Sequence, residues 1–322
     1  MQNISLQGEL AFVFPGQGSQ AVAMLSDFSD NDIVQNTFKE ASDALGYDLW
    51  RLVAQGPAEQ LNQTNFTQPA LLTASVALWR VWQAESDILP AVLAGHSLGE
   101  YSALVCADVI SLTDGVKLVE KRGEYMQTCV PAGVGAMAAV IGLDDQAIID
   151  ACAQAQDSHE VKEVVAAVNF NSPGQVVIAG HKDAVERAGE LCKVAGAKRV
   201  LPLPVSVPSH CALMADAAVK LAADLEGITF KTPSINVVNN VDVAIETSGE
   251  AIKSALVKQL YSPVRWSETV TKIGEMGVTQ MIEVGPGKVL QGLVKRINKS
   301  INCVSFNTED SLVKAKELTQ AK

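Results

Sequence analysis

Short, mainly apolar runs alternate along this 322-residue chain with longer stretches in which apolar residues recur every three or four positions. The first pattern is typical of strands buried on both faces, and the second is typical of helices packed on one face. The predicted strands of the first kind are Leu10–Phe14, Ile88–Ala94, Ile235–Val238, Met281–Val284 and Ile301–Phe306. Helices are predicted after the first strand through about Leu52 and over Gln68–Ala84, Leu98–Ala107, Gly249–Leu260, Ser267–Met276 and Lys288–Asn298. Such an alternation predicts an α/β fold with a parallel sheet.

The middle of the chain follows a different order of elements. Strands are predicted at Gly135–Gly142, Glu163–Phe170, Gln175–Ala179 and Arg199–Leu203, with helices at Asp144–Gln156 and Asp183–Ala195. This βαββαβ order is that of a ferredoxin-like unit. We therefore expect a large α/β domain formed by residues 1–131 and 205–322, interrupted by a small ferredoxin-like subdomain at residues 132–204.

Composition narrows the class of ligand and the compartment. With a net charge of -11, the chain as a whole is a poor partner for nucleic acid or for an anionic membrane surface. No Lys or Arg precedes Lys39, so neither a secretory signal nor a transit peptide is indicated. The six cysteines form neither a CxxC pair nor a zinc-ligand spacing. We expect a cytoplasmic protein without a metal site.

The segment Gly95–Gly99, with the sequence GHSLG, matches the G-x-S-x-G pattern between a predicted strand and a predicted helix. In α/β hydrolases this pattern places a serine on a tight turn at a helix N-terminus, where an oxyanion is stabilised. Ser97 is therefore the candidate nucleophile, and the large domain is expected to be α/β-hydrolase-like. The simpler alternative is a glycine-rich turn with an unreactive serine.

A serine nucleophile needs a base, and the chain has four histidines. His96 adjoins Ser97 and is expected to project from the opposite side of the strand end, whereas His159 and His181 lie in polar segments. His210 alone follows an apolar segment stiffened by proline, so elimination favours it as the base. The alternative is that His210 is a hydrogen-bonded core residue, which is the more common role of a buried histidine.

Arg122 lies on the apolar side of a predicted helix, three residues after Val119 and four before Met126. A buried guanidinium needs an anion, because an unpaired buried charge is strongly unfavourable. Two interpretations remain open. One is an internal salt bridge or a side chain that extends to solvent, and the other is a clamp for a substrate carboxylate.

The loop Gly16–Gly18 follows the first predicted strand but lacks the glycine spacing of a nucleotide-binding loop. Ligand crevices of α/β sheets lie at the C-terminal ends of the strands. Gln17 is therefore a candidate to present its backbone N–H to an oxyanion.

These segments together resemble the malonyl-CoA:acyl carrier protein transacylase family of bacterial fatty acid synthesis. The segments that carry the resemblance, in family order, are Phe14–Gln20 (FPGQGSQ), Gly95–Ala103 (GHSLGEYSA), Lys121–Gly123 (KRG), Asn171–Gln175 (NSPGQ), Val207–His210 (VPSH), Gln259–Val264 (QLYSPV) and Glu283–Gly287 (EVGPG). An ordered set of this kind is far more specific than the serine motif alone.

The resemblance implies transfer of a malonyl group from malonyl-CoA to the phosphopantetheine thiol of acyl carrier protein, by ping-pong through a malonyl-serine. Ser97 would be the acylated nucleophile and His210 its base. The partners would be malonyl-CoA and acyl carrier protein, with the coenzyme A thioester as substrate and no bound cofactor. The family also implies a monomer.

Further site residues follow from the same resemblance. Arg122 would bind the malonyl carboxylate, and the backbone N–H groups of Gln17 and Leu98 would form the oxyanion hole. The backbone carbonyl of Gln259 would orient the histidine in place of the usual aspartate. Met126 and Leu98 are candidates to exclude a methyl branch, which is difficult because one carbon is worth only about 1–3 kcal/mol.

Three alternatives stay open. The elbow alone would suit a serine esterase or thioesterase, although the HGGG loop of lipases is absent and Arg122 would have no purpose with an uncharged ester. A scaffold that docks carrier protein without catalysis is the second. The third is the same malonyl transfer serving a polyketide pathway.

Two basic segments stand out from the acidic average. The stretches 191–215 and 284–308 contain no Asp or Glu. We predict that they attract the acidic carrier protein, with Lys295 and Arg296 as the candidate docking residues. The basic residues of the two stretches are Lys193, Lys198, Arg199, Lys288, Lys295, Arg296 and Lys299.

Overall fold

The computed structural model describes residues 5–157, 163–205 and 207–320. Its strands are β1 (Ser5–Phe14), β2 (Ile88–Gly95), β3 (Gly135–Ile141), β4 (Val165–Ser172), β5 (Gln175–His181), β6 (Arg199–Pro202), β7 (Asn236–Val238), β8 (Gln280–Val284) and β9 (Asn302–Phe306). Its α-helices are α1 (Asp32–Leu45), α2 (Leu49–Gln55), α3 (Ala58–Leu61), α4 (Thr64–Glu85), α5 (Leu98–Cys106), α6 (Leu112–Cys129), α7 (Asp145–Asp157), α8 (Lys182–Val194), α9 (Ala215–Glu226), α10 (Gly249–Tyr261), α11 (Trp266–Glu275), α12 (Val289–Ile297) and α13 (Glu309–Gln320).

A parallel sheet with the strand order β7-β2-β1-β8-β9 carries both of the main hydrophobic cores. Phe12 and Phe14 of β1 pack into the core on one face, which also contains Trp82 of α4. The alternate residue Val13 packs into the core on the other face, with Trp266 of α11. Helices therefore cover both faces, which explains why the Leu10–Phe14 part of β1 is an unbroken apolar run. The expected α/β fold with a parallel sheet is confirmed.

The middle of the chain forms a separate antiparallel sheet with the order β4-β5-β3-β6. Helices α7 and α8 pack on one face, where Ile148 and Val185 lie in the same apolar cluster as Val140. The opposite face packs against Cys211, the residue after His210. The strands and helices occur in the order expected from the sequence.

The two sheets meet along β4 and the segment before α11. The backbone N–H of Phe170 donates to Val264 O at 3.0 Å, and the N–H of Val264 donates to Val168 O at 2.8 Å. These bonds hold the end of β4 beside the parallel sheet. Among the described residues, no helix is both long enough and apolar enough to cross a bilayer.

The helical region expected through about Leu52 is present, but it is divided into separate elements. The chain forms a short 3-10 helix at Ser26–Phe28, then α1 and α2. Gly46, with φ 82°, ends α1 in the left-handed region that glycine tolerates. Asp48 then caps α2 by accepting a hydrogen bond from the N–H of Arg51 at 2.9 Å.

Other boundaries also differ from expectation. Helix α4 begins at Thr64, earlier than the expected Gln68, because the side chain of Gln127 accepts a hydrogen bond from the Thr64 N–H at 3.2 Å. Helices α9 and α13 were not anticipated from the sequence pattern.

Candidate active site

Ser97 sits on the tight turn between β2 and α5, as the G-x-S-x-G pattern predicts. Its backbone has φ 52° and ψ -107°, a conformation that residues other than glycine rarely adopt. The flanking glycines are required by close backbone contacts. A Cβ at Gly95 would lie 1.8 Å from the carbonyl carbon of Gly99, and one at Gly99 would lie 2.0 Å from Phe14 O. The turn therefore holds the serine at the C-terminal edge of the parallel sheet.

The Ser97 hydroxyl lies beside His210. Its Oγ is 2.8 Å from His210 Nε2, while His210 Nδ1 is 2.7 Å from the backbone oxygen of Gln259. Because that carbonyl can only accept, Nδ1 carries the proton and Nε2 is free to take one from Ser97. Burial, together with the charge of Arg122, lowers the pKa of His210 to about 3. The imidazole is therefore neutral at physiological pH.

Arg122 is 1% exposed and points at the same hydroxyl. Its Nη2 donates to Ser97 Oγ at 3.2 Å and to Gln259 Oε1 at 2.9 Å, and its Nη1 donates to Gln68 Oε1 at 2.9 Å. The guanidinium also lies 5.2 Å from the ring centre of Tyr101. No carboxylate among the described residues forms a salt bridge with it. The first interpretation from the sequence was an internal salt bridge or a side chain that extends to solvent, and neither is found among the described residues.

Gln17 and Leu98 lie on either side of the serine turn. A Cβ at Gly16 would lie 2.5 Å from His96 O, so only glycine brings the Gln17 loop this close to the turn. Leu98 is the first residue of α5. Within the described part of the chain, neither the Gln17 N–H nor the Leu98 N–H donates a backbone hydrogen bond outside regular helices and strands.

Met126 lies one turn after Arg122 on α6 and is buried. Its Sδ is 3.6 Å from Nε2 of Gln68, the residue whose Oε1 holds Arg122. Met126 is thus within the side-chain layer around the guanidinium.

The other two histidines among the described residues, His96 and His181, form hydrogen bonds away from the Ser97 hydroxyl. His96 Nε2 is 2.8 Å from Asn171 Oδ1, at the end of β4. His181 Nδ1 accepts a hydrogen bond from the N–H of Val164 at 2.8 Å. His159 is outside the described residues.

The candidate docking residues Lys295 and Arg296 are exposed on α12. The Arg296 guanidinium donates to the side chain of Gln175. Gln175 pairs with Ile141 across the antiparallel sheet, and Ile141 pairs in turn with Arg199. The two basic segments therefore meet at one end of that sheet.

Three buried polar residues around Ser97 were missed from the sequence: Gln68, Glu100 and Asn240. Asn240 Oδ1 accepts from the Ser97 N–H at 2.7 Å, and its Nδ2 donates to Gly95 O at 2.7 Å. A signal was available for two of them. Gln68 is a polar residue inside an apolar helix, and Asn240 follows the end of a predicted strand.

The arrangement can perform nucleophilic acyl transfer. A serine hydroxyl beside a neutral imidazole loses its proton as it attacks an acyl carbon. No carboxylate in the described part of the chain pairs with the guanidinium beside the same hydroxyl, so this group can hold a carboxylate carried by that acyl group. Among the residues described, no group of three or more His, Cys, Asp or Glu side chains is placed to hold a metal ion.

Comparison with known proteins agrees with this chemistry. The family of acyl transferase domains matches residues 11–316, so the site belongs to an acyltransferase. Malonyl CoA-acyl carrier protein transacylase of Escherichia coli strain K12 is 62% identical over 311 residues, which cover 96% of this chain and 99% of the relative. The chain belongs to the malonyl CoA-acyl carrier protein transacylase family.

Solved structures share the fold over nearly the whole length of the chain. The acyl carrier protein S-malonyltransferase of Vibrio cholerae has a TM-score of 0.92 and 62% identity, covering 95% of this chain and 99% of its own. A malonyl-transacylase in complex with a type II PKS acyl-carrier protein has a TM-score of 0.94 and 59% identity, covering 97% of this chain and 100% of its own.

Proposed function

We propose that this enzyme transfers the malonyl group of malonyl-CoA to the phosphopantetheine thiol of acyl carrier protein and so supplies malonyl-carrier protein for fatty acid chain elongation. The observation that carries the proposal is the position of Ser97 Oγ, 2.8 Å from His210 Nε2 and 3.2 Å from Arg122 Nη2. Base, nucleophile and a cation for the malonyl carboxylate therefore converge on one oxygen. The 62% identity to the E. coli transacylase supports the choice of substrates.

In the first half-reaction, His210 Nε2 takes the proton of Ser97 as Oγ attacks the thioester carbon. The backbone N–H groups of Gln17 and Leu98 hold the resulting oxyanion, each such donor being worth about 3 kcal/mol. The C–S bond then breaks, and His210 returns the proton to the sulfur of coenzyme A. Malonyl-Ser97 remains.

The second half-reaction repeats these steps in reverse with the carrier protein. The phosphopantetheine thiol loses its proton to His210 and attacks the ester carbon of malonyl-Ser97. Ser97 leaves and takes that proton, so the cycle is ping-pong. It consumes no oxidant or reductant, and the coenzyme A thioester is substrate; we propose no bound cofactor.

Arg122 provides the selectivity for a dicarboxylic acyl group. The Arg122 guanidinium donates hydrogen bonds to Ser97, Gln68 and Gln259 through its two Nη atoms, while its buried Nε has no hydrogen-bond partner among the described residues. A malonyl carboxylate adds a charge-assisted hydrogen bond that acetyl cannot make. Met126 crowds the same region and opposes a methyl branch.

Labelling tests the proposed function. Malonyl-CoA with a radioactive malonyl group should label the wild-type protein stoichiometrically and leave the Ser97→Ala variant unlabelled. Peptide mapping should place the label on Ser97. Absence of label from wild-type protein that is folded and monodisperse would refute the proposal.

We also propose that carrier protein docks on the basic residues at the shared end of the antiparallel sheet, around Lys295 and Arg296. Support comes from Asn171, which lies at the end of β4 that pairs with Gln175, the partner of Arg296. Asn171 also contacts His96, the residue before Ser97. Lys295→Glu should raise the KM for carrier protein about tenfold at low salt and leave malonyl-CoA hydrolysis unchanged. Lys314→Glu on α13 is the matched control, and equal effects of both substitutions would argue against this surface.

The domain organisation is an inference from the same topology. We assign residues 1–131 and 205–322 to an α/β-hydrolase-like catalytic domain and 132–204 to a ferredoxin-like subdomain. The strand-turn-helix around Ser97 supports the first assignment, and the order β4-β5-β3-β6 supports the second. We further propose a monomer in the cytoplasm, which sedimentation and cell fractionation test.

A second candidate is the same malonyl transfer to a polyketide carrier protein. The observation that favours it is the 59% identity to a malonyl-transacylase solved with a type II PKS acyl-carrier protein. Competition between a fatty acid carrier and a polyketide carrier for malonyl-Ser97 distinguishes the two. The carrier with the higher kcat/KM identifies the pathway.

A further inference from the structure

A buried carboxylate, Glu100, lies behind the active serine without touching its hydroxyl. Glu100 is 2% exposed. Its Oε2 accepts hydrogen bonds from Gln259 Nε2 at 2.8 Å and from the backbone N–H of Asn240 at 3.0 Å. Asn240 and Gln259 are the residues that hold the Ser97 backbone, through the Ser97 N–H at 2.7 Å and the Ser97 carbonyl at 3.1 Å.

These bonds define one orientation of the Gln259 amide. Its Nε2 faces three acceptors, Glu100 Oε2, Ser97 O and, at 3.5 Å, Asn240 Oδ1. Its Oε1 faces the donor Nη2 of Arg122. A rotated amide would set oxygen against oxygen on one side and N–H against N–H on the other. Because an ionised carboxylate can only accept, Glu100 enforces the orientation that presents Oε1 to the guanidinium.

The charges of the site are arranged in a row. Arg122 has no carboxylate in contact among the described residues, and Glu100 is separated from it by the amide of Gln259. A carboxylate bonded directly to the guanidinium would occupy the donors that a substrate anion needs. An acid one amide away offsets the buried positive charge and leaves those donors available.

We propose that Glu100 is a positioning residue for recognition of the malonyl carboxylate, holding the Gln259 amide so that Arg122 stays aimed at Ser97 and open to an anion. This inference rests on the proposed function, and it assigns to Glu100 a role exerted through Gln259 and Arg122. It concerns acyl groups that carry a carboxylate and leaves attack on uncharged esters untouched.

The surroundings of Glu100 make its charge sensitive to pH. The charged and titratable groups that face it are Arg122, Asp242, Tyr101 and Glu246, which lines a small cavity beside it. Burial raises the pKa of Glu100 to about 7. Protonation of Glu100 would remove the negative charge that offsets Arg122. It would also place an O–H donor next to the N–H donors of Asn240 and Gln259, which need an acceptor.

The Glu100→Gln variant tests the proposal. Its side chain keeps the shape of glutamate but has no charge, and it can donate as well as accept hydrogen bonds. Two rates of Ser97 acylation are compared: by malonyl-CoA, which uses Arg122, and by p-nitrophenyl acetate, which does not. We expect kcat/KM for malonyl-CoA to fall at least about tenfold, and the rate with the uncharged ester to stay within about twofold. The Glu246→Gln variant, which removes a charge from the same cavity without touching Gln259, should leave both rates near wild type.

An equal loss with both reagents would mean that Glu100 only maintains the fold, and would overturn the proposal. So would an unchanged malonyl rate. Failure of wild-type protein to be acylated by malonyl-CoA, with normal reaction of the uncharged ester, would instead refute the proposed function.

A second measurement needs only wild-type protein and so does not depend on folding of the variant. Acylation by malonyl-CoA should fall as the pH drops through about 7, while acylation by the uncharged ester should not. His210, with its pKa near 3, cannot produce that loss. If the rate of acylation by malonyl-CoA does not change between pH 8 and pH 5.5, a positioning role for Glu100 is contradicted.

Discussion

The guanidinium of Arg122 and the hydroxyl of Ser97 are in direct contact, at 3.2 Å between Nη2 and Oγ. Ser97 is the N-cap of α5, whereas Arg122 lies in the middle of α6. A cation that touches the nucleophile places any anion it binds next to the reacting carbon. In the proposed mechanism, selection of a malonyl group and attack upon it would therefore share one contact.

The Arg122→Ala variant should lose malonyl transfer selectively. Loss of a buried, charge-assisted contact to the substrate costs about 4 kcal/mol, so kcat/KM for malonyl-CoA should fall about a thousandfold. The value for acetyl-CoA should change far less, and steady-state assays with both thioesters measure the ratio. Lys121→Ala is the control, because Lys121 is the neighbouring cation but pairs with Asp224 at the surface. An unchanged malonyl-to-acetyl ratio would rule out the carboxylate clamp.

His210 should make the folded protein sensitive to acid. Burial lowers its pKa from 6.5 to about 3, so between these values the unfolded chain binds a proton that the folded protein excludes. The free energy of unfolding should therefore fall, on account of His210, as the pH decreases from 6.5 toward 3. Glu100 acts in the opposite sense, since its raised pKa makes the folded state the better proton acceptor between 4.5 and about 7.

Denaturant unfolding of wild type and His210→Gln at several pH values isolates the histidine. The stability difference should move in favour of the variant as the pH falls below 6.5. A difference that does not depend on pH would show that His210 is not held neutral.

The Gly99→Ala variant should disrupt the serine turn. The added Cβ would lie 2.0 Å from Phe14 O, so the backbone must shift and carry Ser97 away from His210. We expect a loss of acylation of about a hundredfold or more, with reduced thermal stability. Gly292→Ala is the matched control: a Cβ there meets nothing within 4 Å, and alanine favours the helix by up to about 1 kcal/mol. Full activity in Gly99→Ala would contradict the strict packing of the turn.

Shortening Met126 should relax the exclusion of branched acyl groups. In Met126→Ala the relative kcat/KM for methylmalonyl-CoA over malonyl-CoA should rise about tenfold, which is the worth of one carbon in a packed site. Met281→Ala, a deletion of the same side chain in the other core, controls for general loss of stability. If both variants change the ratio equally, Met126 has no part in selectivity.

The sequence could predict the residues that break a local pattern. Ser97 lies between a strand and a helix in a glycine motif, and Arg122 interrupts an apolar helix face. The role suggested for Gln259 came only from family resemblance, because a backbone carbonyl leaves no mark in a sequence. Glu100 could not be singled out from the sequence because a glutamate early in a helix is ordinary in an exposed position. Asn240 carried only the weak signal of following a predicted strand, and asparagine is also common in exposed turns. The structure shows that both are buried, Glu100 in α5 and Asn240 two residues after β7.

The fold was predictable to the same extent and for the same reason. Strands buried on both faces, such as β1, stand out as apolar runs, and helices with one apolar face show their period. The break between α1 and α2 depends on Gly46 and Asp48, and the early start of α4 depends on a contact with Gln127 from a distant helix. Such tertiary contacts override local periodicity.

The fate of the acyl group on Ser97 tests malonyl transfer most directly. Enzyme labelled with radioactive malonyl-CoA is freed of excess substrate and mixed with acyl carrier protein that bears phosphopantetheine, with Ser97→Ala as the blank. Transfer predicts that the label leaves Ser97 and appears on the carrier protein in a single turnover, much faster than free malonate appears. Release of the label mainly as malonate in the presence of carrier protein would contradict it and would identify a thioesterase.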